Sequence, residues 1–250
     1  MRGKRALDLL ISLAGLVVLS PVLAVVTAVI WLGDRGNPIY AAPRVGRNGR
    51  PFTMLKFRTM VLEAESNGGS STSTTDPRIT PVGRILRPLK VDELPQLFNV
   101  LRGDMSIVGP RPNVQWATLT YSEEERELLV AKPGITDLAS VVFADEGEIL
   151  AGSDDPDLLY ERIIRPYKGE LGILYARKAS VGVDLRVIWL TVVGLVSRAR
   201  CLRGTASLVH KLGAAPSLVG VSRREQALSP SPPPGWRQVV EYVGEMPPAH

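Results

Sequence analysis

Cysteine and histidine are nearly missing from this chain, and their scarcity excludes whole classes of chemistry. Cys201 is the single cysteine, so no intrachain disulfide can form and a reducing compartment is the expected setting. The two histidines, His210 and His250, both fall in a C-terminal stretch that reads as poorly structured. A Ser-His-Asp triad, a Cys-His pair and a His-ligated zinc site are thereby set aside. Any catalysis then rests on carboxylates and cations, with or without a metal such as magnesium. A large excess of one charge is missing too: 30 Lys and Arg against 25 Asp and Glu leave +5 over 250 residues. Such a surplus suits anionic lipid or a phosphorylated substrate as well as nucleic acid. No zinc-finger spacing, RNP-like aromatic motif or basic-region heptad accompanies it, so nucleic acid is not the expected partner.

Charge disappears altogether from Leu9 to Leu32, a run long enough to span a bilayer. Arg2, Lys4 and Arg5 precede it, and Arg35, Arg44, Arg47 and Arg50 follow, with Asp34 the nearby exception. Basic residues favour the cytoplasmic side, and here both flanks qualify. Ser20-Pro21 stands near the middle, where proline removes a backbone donor and favours a kink. A helix that bends there and leaves by the face it entered reconciles the two flanks. An ordinary single-pass helix with a tolerated proline fits the run equally well. A cleaved signal peptide fits less well, because the run exceeds an h-region.

Downstream, Ile39 to Phe57 reads as a β-hairpin turned at Asn48-Gly49, a type I′ signal. Met54 to Met60 alternates, which places Lys56 and Arg58 on one face of an extended segment. That pattern suits a solvated strand face as well as a phosphate site. Ser66 to Thr75 is low-complexity and reads as a surface loop or a lid. Glu123 to Val130 reads as a solvated acidic helix, and Ile135 to Phe143 as a strand. Asp145, Glu146 and Glu148 read as an exposed loop or helix start rather than a metal site. Asp157 to Arg177 is helical in character, interrupted by Pro166. Asp184 to Val196 is too short to span but apolar enough for a buried or interfacial helix, with Arg198, Arg200 and Arg203 beyond it. From about Gly204 the chain reads as irregular, and SPSPPPG at 229–235 as a flexible tail.

The most informative stretch is 76–112. It sets the adjacent carboxylates Asp92 and Glu93 among Arg78, Arg84, Arg87, Lys90, Arg102 and Arg111. Cations that neutralise a polyanionic substrate let a carboxylate approach it as nucleophile or metal ligand. A plainer reading stands beside this one. A helix begins near Val91-Asp92, with Asp92 as its N-cap, Leu94, Leu97, Phe98 and Leu101 as its apolar face, and Gly103 as its stop.

Several ordered motifs carry a resemblance to a known family. They are KRALD with the Ser-Pro-broken apolar run, RVGRNGRPFTMLKFRTM, DPRITPVGRILR, VDELPQLFNVLRGDMSIVGPRP and KPGIT, covering about residues 4–136. Together they resemble the bacterial sugar transferases, small monotopic polyprenyl-phosphate phosphoglycosyl transferases. The resemblance implies an α+β fold: a re-entrant helix over 1–36, a small hairpin, and a mainly helical cytoplasmic catalytic domain over 37–203 ending in an interfacial helix. Residues 204–250 would be the flexible tail.

It further implies transfer of a sugar 1-phosphate from a UDP-sugar to polyprenyl phosphate, with Mg²⁺, at the cytoplasmic face of the bacterial inner membrane. Asp92 would be the nucleophile and Glu93 its metal-side or positioning partner, so both are the metal candidates. Arg111, between Pro110 and Pro112, is the leading phosphate or nucleotide ligand, and Lys56, Arg58, Arg78 and Arg87 are secondary ones. The sugar and any homo-oligomer are left open. One departure stands after PGIT, where Asp137-Leu138-Ala139-Ser140 replaces a stretch with glycine and tryptophan. A membrane-anchored scaffold relative that has lost activity is the competing reading.

Overall fold

The structure, a computed structural model, describes residues 2–62 and 76–244. The 66–75 run and His250 lie outside them. Among the described residues, eleven α-helices and four short strands follow in order: α1 Arg2–Asp34, β1 Ile39–Val45, β2 Pro51–Phe57, α2 Pro81–Leu86, α3 Gln96–Arg102, β3 Ser106–Val108, α4 Gln115–Leu119, β4 Gly134–Thr136, α5 Leu138–Val142, α6 Glu146–Ile149, α7 Pro156–Ile163, α8 Arg165–Lys178, α9 Val181–Val196, α10 Arg198–Lys211 and α11 Pro216–Arg223. The fold is thus mixed, largely helical with two small sheets.

Helix α1 is long and apolar enough to cross a membrane and runs through Pro21 without a break in assignment. Leu10, Leu13, Val17, Val18, Val22 and Val25 are exposed along it. Polar residues tie its first turns to the body. Lys4 Nζ donates to Asp184 Oδ2 at 2.7 Å and to the Val108 carbonyl at 2.8 Å. Arg5 donates to the carbonyls of Val100 and Leu101, which closes the C-terminal end of α3 where a cation is favoured. Asp8 is buried and accepts from Ser106 Oγ and the Ile107 amide. The far end is held too: Val26 and Ile30 pack with Phe57 and Leu86, and Asp34 pairs with Arg58 at 2.5 Å.

The hairpin forms as expected, antiparallel from Ile39↔Phe57 to Val45↔Pro51. Asn48 (φ 58°, ψ 30°) and Gly49 (φ 76°) are both left-handed and Arg50 N donates to Arg47 O, which is the type I′ arrangement. Strands β3 and β4 pair in parallel, and Gly109 and Gly134 meet just where the GPRP and KPGIT motifs cross. A Cβ on Gly134 would lie 2.1 Å from Gly109 N, so the close approach requires glycine.

Three sequence expectations change. Ile135 to Phe143 is not one strand: β4 ends at Thr136, and Asp137 then caps α5 by accepting from the Ser140 amide. The cap outweighs the strand propensity of Val141, Val142 and Phe143. The acidic patch is a short 3₁₀ helix, Glu125–Leu129, and it is not a solvated face throughout, since Glu125 is only 1 % exposed. The chain beyond Gly204 is not irregular: α10 and α11 occupy 198–223, His210 lies on α10, and Leu218, Trp236 and Val240 are buried. Apolar positions spaced for packing carry this segment, which composition alone made look loose.

Candidate active site

Asp92 and Glu93 sit in a 3₁₀ turn, Val91–Glu93, just before α3, and both are buried. Lys90 precedes them with a left-handed backbone (φ 56°, ψ 19°), which a lysine rarely adopts and which is stored strain beside the pair. Gly103 (φ 97°) stops α3 as expected, but Asp92 does not cap the helix. Pro95 holds the N-cap position, and Asp92 Oδ1 is buried without a hydrogen-bond partner. Gln96 Nε2, four residues on, is likewise buried and unpartnered. A buried polar atom left unmet is costly, so its persistence marks a site rather than a cap.

The neighbouring carboxylate is fully engaged. Arg111 Nη2 donates to Glu93 Oε1 at 2.7 Å and Nη1 to Oε2 at 3.2 Å, a two-pronged pair. Arg111 is placed from behind by the Pro110-Pro112 bracket and by Asp137, whose Oδ2 accepts from its amide at 3.2 Å. Asp137 therefore serves two neighbours at once, the α5 cap and the Arg111 turn.

The two carboxylates diverge electrostatically. Burial, and then Glu93 next door, push the Asp92 carboxyl above its usual range, against the pull of Lys56, Lys90 and Arg111. Burial also works to raise Glu93, but Arg111 and then Lys56 outweigh it and hold Glu93 at about 2. Burial draws Lys56 down to about 8, with Arg111 adding to the pull and Glu93 and Asp92 resisting it. Arg111 itself is held charged chiefly by Glu93.

Four of the expected residues thus meet: Asp92, Glu93, Arg111 and Lys56. The others have partners of their own. β2 ends at Phe57, so Arg58 leaves the strand alternation and pairs with Asp34 at the end of α1. Arg78 bonds both oxygens of Asp76, and Arg87 adds its charge to that carboxylate. The structure also brings in residues that the sequence reading had not put among the expected ligands. Lys90 and Arg44 face the cluster, and Glu146 pairs with Lys168 while feeling the charge of Arg111. Asp137 had a legible signal, an N-cap residue three before Ser140; Glu146 had none beyond its acidic neighbours.

Among the described residues no group of three or more His, Cys, Asp or Glu side chains is arranged to hold a metal. Magnesium does not require one, since it commonly takes one or two carboxylates and completes its shell with water and substrate phosphate. Asp92 Oδ1 fits that demand as a buried oxygen with no donor, whereas both Glu93 oxygens already accept from Arg111.

The model of the bacterial sugar transferase family matches residues 1–198. The chain is 39% identical over 199 residues to the undecaprenyl-phosphate glucose phosphotransferase of Komagataeibacter xylinus, covering 77% of this chain and 35% of that protein. It is 35% identical over 197 residues to the UDP-glucose:undecaprenyl-phosphate glucose-1-phosphate transferase of Caulobacter vibrioides, covering 78% and 70%. It is 31% identical over 192 residues to the UDP-N-acetylgalactosamine-undecaprenyl-phosphate N-acetylgalactosaminephosphotransferase of Aeromonas hydrophila, covering 76% and 42%. The chain therefore spans about a third of the Komagataeibacter relative and most of the Caulobacter one.

Proposed function

The chain belongs to the bacterial sugar transferase family, and from that premise we propose that it moves a sugar 1-phosphate from a UDP-sugar to undecaprenyl phosphate. The observation that carries this reading is the buried, unpartnered oxygen of Asp92 among Lys56, Lys90 and Arg111. In the first half-reaction an Asp92 oxygen attacks the phosphorus that bears the sugar. The bond from that phosphorus to the bridging oxygen breaks, UMP leaves, and a phospho-sugar aspartate forms. In the second, an oxygen of undecaprenyl phosphate attacks the same phosphorus and Asp92 is released, leaving an undecaprenyl-diphosphate sugar.

Burial keeps water from the adduct, and Lys56 and Arg111 neutralise phosphate charge as each bond changes. Glu93 holds Arg111 by both prongs and so fixes the direction of its guanidinium. Asp92 Oδ1 would hold a magnesium ion beside Glu93, whose own oxygens are taken by Arg111, and the ion would supply further neutralisation of the diphosphate.

Membrane placement has its own support. Lys4 and Asp34 lie at opposite ends of α1, and both pair with residues of the same body. That favours a helix that enters and leaves by one face, with the site at the cytoplasmic surface of the inner membrane. Helix α9 presents Leu185, Trp189, Val192 and Val196 as a second exposed apolar stripe at helical spacing, suited to the interface. The relatives named above differ in their sugar, so the sugar is left to the donor panel below. No observation favours an inactive scaffold, because Asp92, Glu93, Lys56 and Arg111 are all present and assembled.

The test is UMP release by the membrane-solubilised protein with UDP-glucose, UDP-N-acetylgalactosamine and related donors, undecaprenyl phosphate and magnesium. Release with one donor is expected. No release from folded protein with any donor would overturn the assignment.

A further inference from the structure

The family match stops at residue 198, but the folded chain does not. Arg224, the residue that ends α11, lies 26 residues past that limit in sequence and turns back onto the site's scaffold. Its backbone is left-handed (φ 54°, ψ 33°), a position usually given to glycine or asparagine. Its guanidinium, only 15 % exposed, bonds the Asp145 carboxylate at 3.1 and 3.4 Å and lies 5.4 Å from the ring centre of Phe143. Arg198 takes the same carboxylate at 3.0 Å and donates to the carbonyls of Val141 and Val142, so the two arginines close on the C-terminal end of α5.

Helix α5 is only five residues long, and its other end is Asp137. There Oδ1 caps the helix through the Ser140 amide, while Oδ2 accepts the amide of Arg111. A single turn pinned at both ends is a strut. One end carries Arg111, which holds Glu93; the other is gripped by Arg198 and Arg224.

We propose that Arg224 is a positioning residue for Arg111, acting through Asp145 and α5, so that the segment beyond the family match braces the active site. This rests on the reading of Asp92 and Arg111 given above. In that role Arg224 touches no substrate. It sets the angle at which Arg111 leaves its proline bracket, and a strained backbone is retained at Arg224 because the ion pair needs the side chain aimed inward.

The experiment uses the full chain, with Arg224→Gln, Arg224→Lys and, as a control, Arg223→Gln at an exposed neighbour. UMP release and amide exchange across 109–113 and 137–145 are both measured. For Arg224→Gln a roughly tenfold rise in KM for the UDP-sugar is expected, with kcat within about twofold, and faster exchange in both segments. Arg224→Lys should recover most of the KM, and Arg223→Gln should match the natural chain. Combined with Arg111→Lys, Arg224→Gln should add little, because the two act on one contact. An unchanged KM with kcat falling only as folded protein is lost would overturn the brace, as would full additivity. If the natural chain releases no UMP, the functional reading falls, while exchange still decides the brace: equal protection in Arg224→Gln would sink it.

Discussion

Glu125 and Asp92 are both buried near an arginine, and they are handled in opposite ways. Glu125 has every oxygen met: Oε1 accepts from Arg165 Nε, and Oε2 from Arg165 Nη2, the Ser122 amide and Trp236 Nε1. Arg165 also pairs with Glu161 and lies 5.4 Å from the Trp236 ring centre. Asp92 stands near as much positive charge but keeps Oδ1 free of any donor. The first arrangement locks an ion pair into the body. The second holds an oxygen ready while its neighbour Glu93 absorbs the nearest guanidinium. Burial beside a cation therefore does not distinguish the two; what sets Asp92 apart is an unmet carboxylate oxygen within a cluster of cations.

The largest effect should come from Asp92→Asn. Adduct formation and UMP release should fall on the order of 10³-fold or more, read by intact mass and product assay. Its thermal midpoint should hold or rise, because an unmet buried carboxylate is removed. A large loss of stability would place Asp92 with Glu125 and break the contrast. Glu125→Gln should do the reverse and cost about 3 kcal/mol in unfolding free energy, since it removes one of the two carboxylates that neutralise the buried Arg165 and disturbs the bonds from Ser122 and Trp236. Activity per folded molecule should survive, and its loss in well-folded protein would blur the distinction.

Arg111→Lys should lower kcat/KM about a hundredfold, because an ammonium cannot span both Glu93 oxygens and a phosphate in one plane. Near-normal kinetics would show that point charge alone suffices there. The smallest effect is in pH. Lys56 is charged below about 8 and neutral above it, so kcat/KM should fall on the alkaline side with an apparent pKa near 8. On the acid side it should rise as Asp92 loses its proton, above the usual aspartate range. Lys56→Arg should remove the alkaline fall, because guanidinium stays charged. An unchanged limb would detach Lys56 from the reaction.

Much of the architecture was readable from local signals. The Asn48-Gly49 turn placed the hairpin to the residue, and Gly103 placed the end of α3, because each depends on backbone conformations that few residues adopt. Reading failed where a cap or a distant contact outweighed the intrinsic preference of a run. Asp137 turned a strand-like run into a helix, Arg165 and Trp236 drew Glu125 inward, and packing ordered the chain past Gly204. At the site, adjacency in sequence identified Asp92 and Glu93, and their motif drew in Arg111. Alternation along β2 put Lys56 and Arg58 on one face, but the strand stops between them and Arg58 pairs with Asp34.

What the sequence determined by itself is an inventory: no histidine or thiol chemistry to use, one apolar helix flanked by cations, and one carboxylate pair in a basic setting. Those follow from residue types and spacing, which need no partner to have their properties. Only the tertiary structure decided which carboxylate is spent and which is free. That choice depends on where Arg111 points, which is set by Asp137, by the Gly109–Gly134 crossing and by a brace that reaches back from Arg224. Each lies far along the chain from Asp92, and a hydrogen bond is either made or left unmade only once those segments have come together.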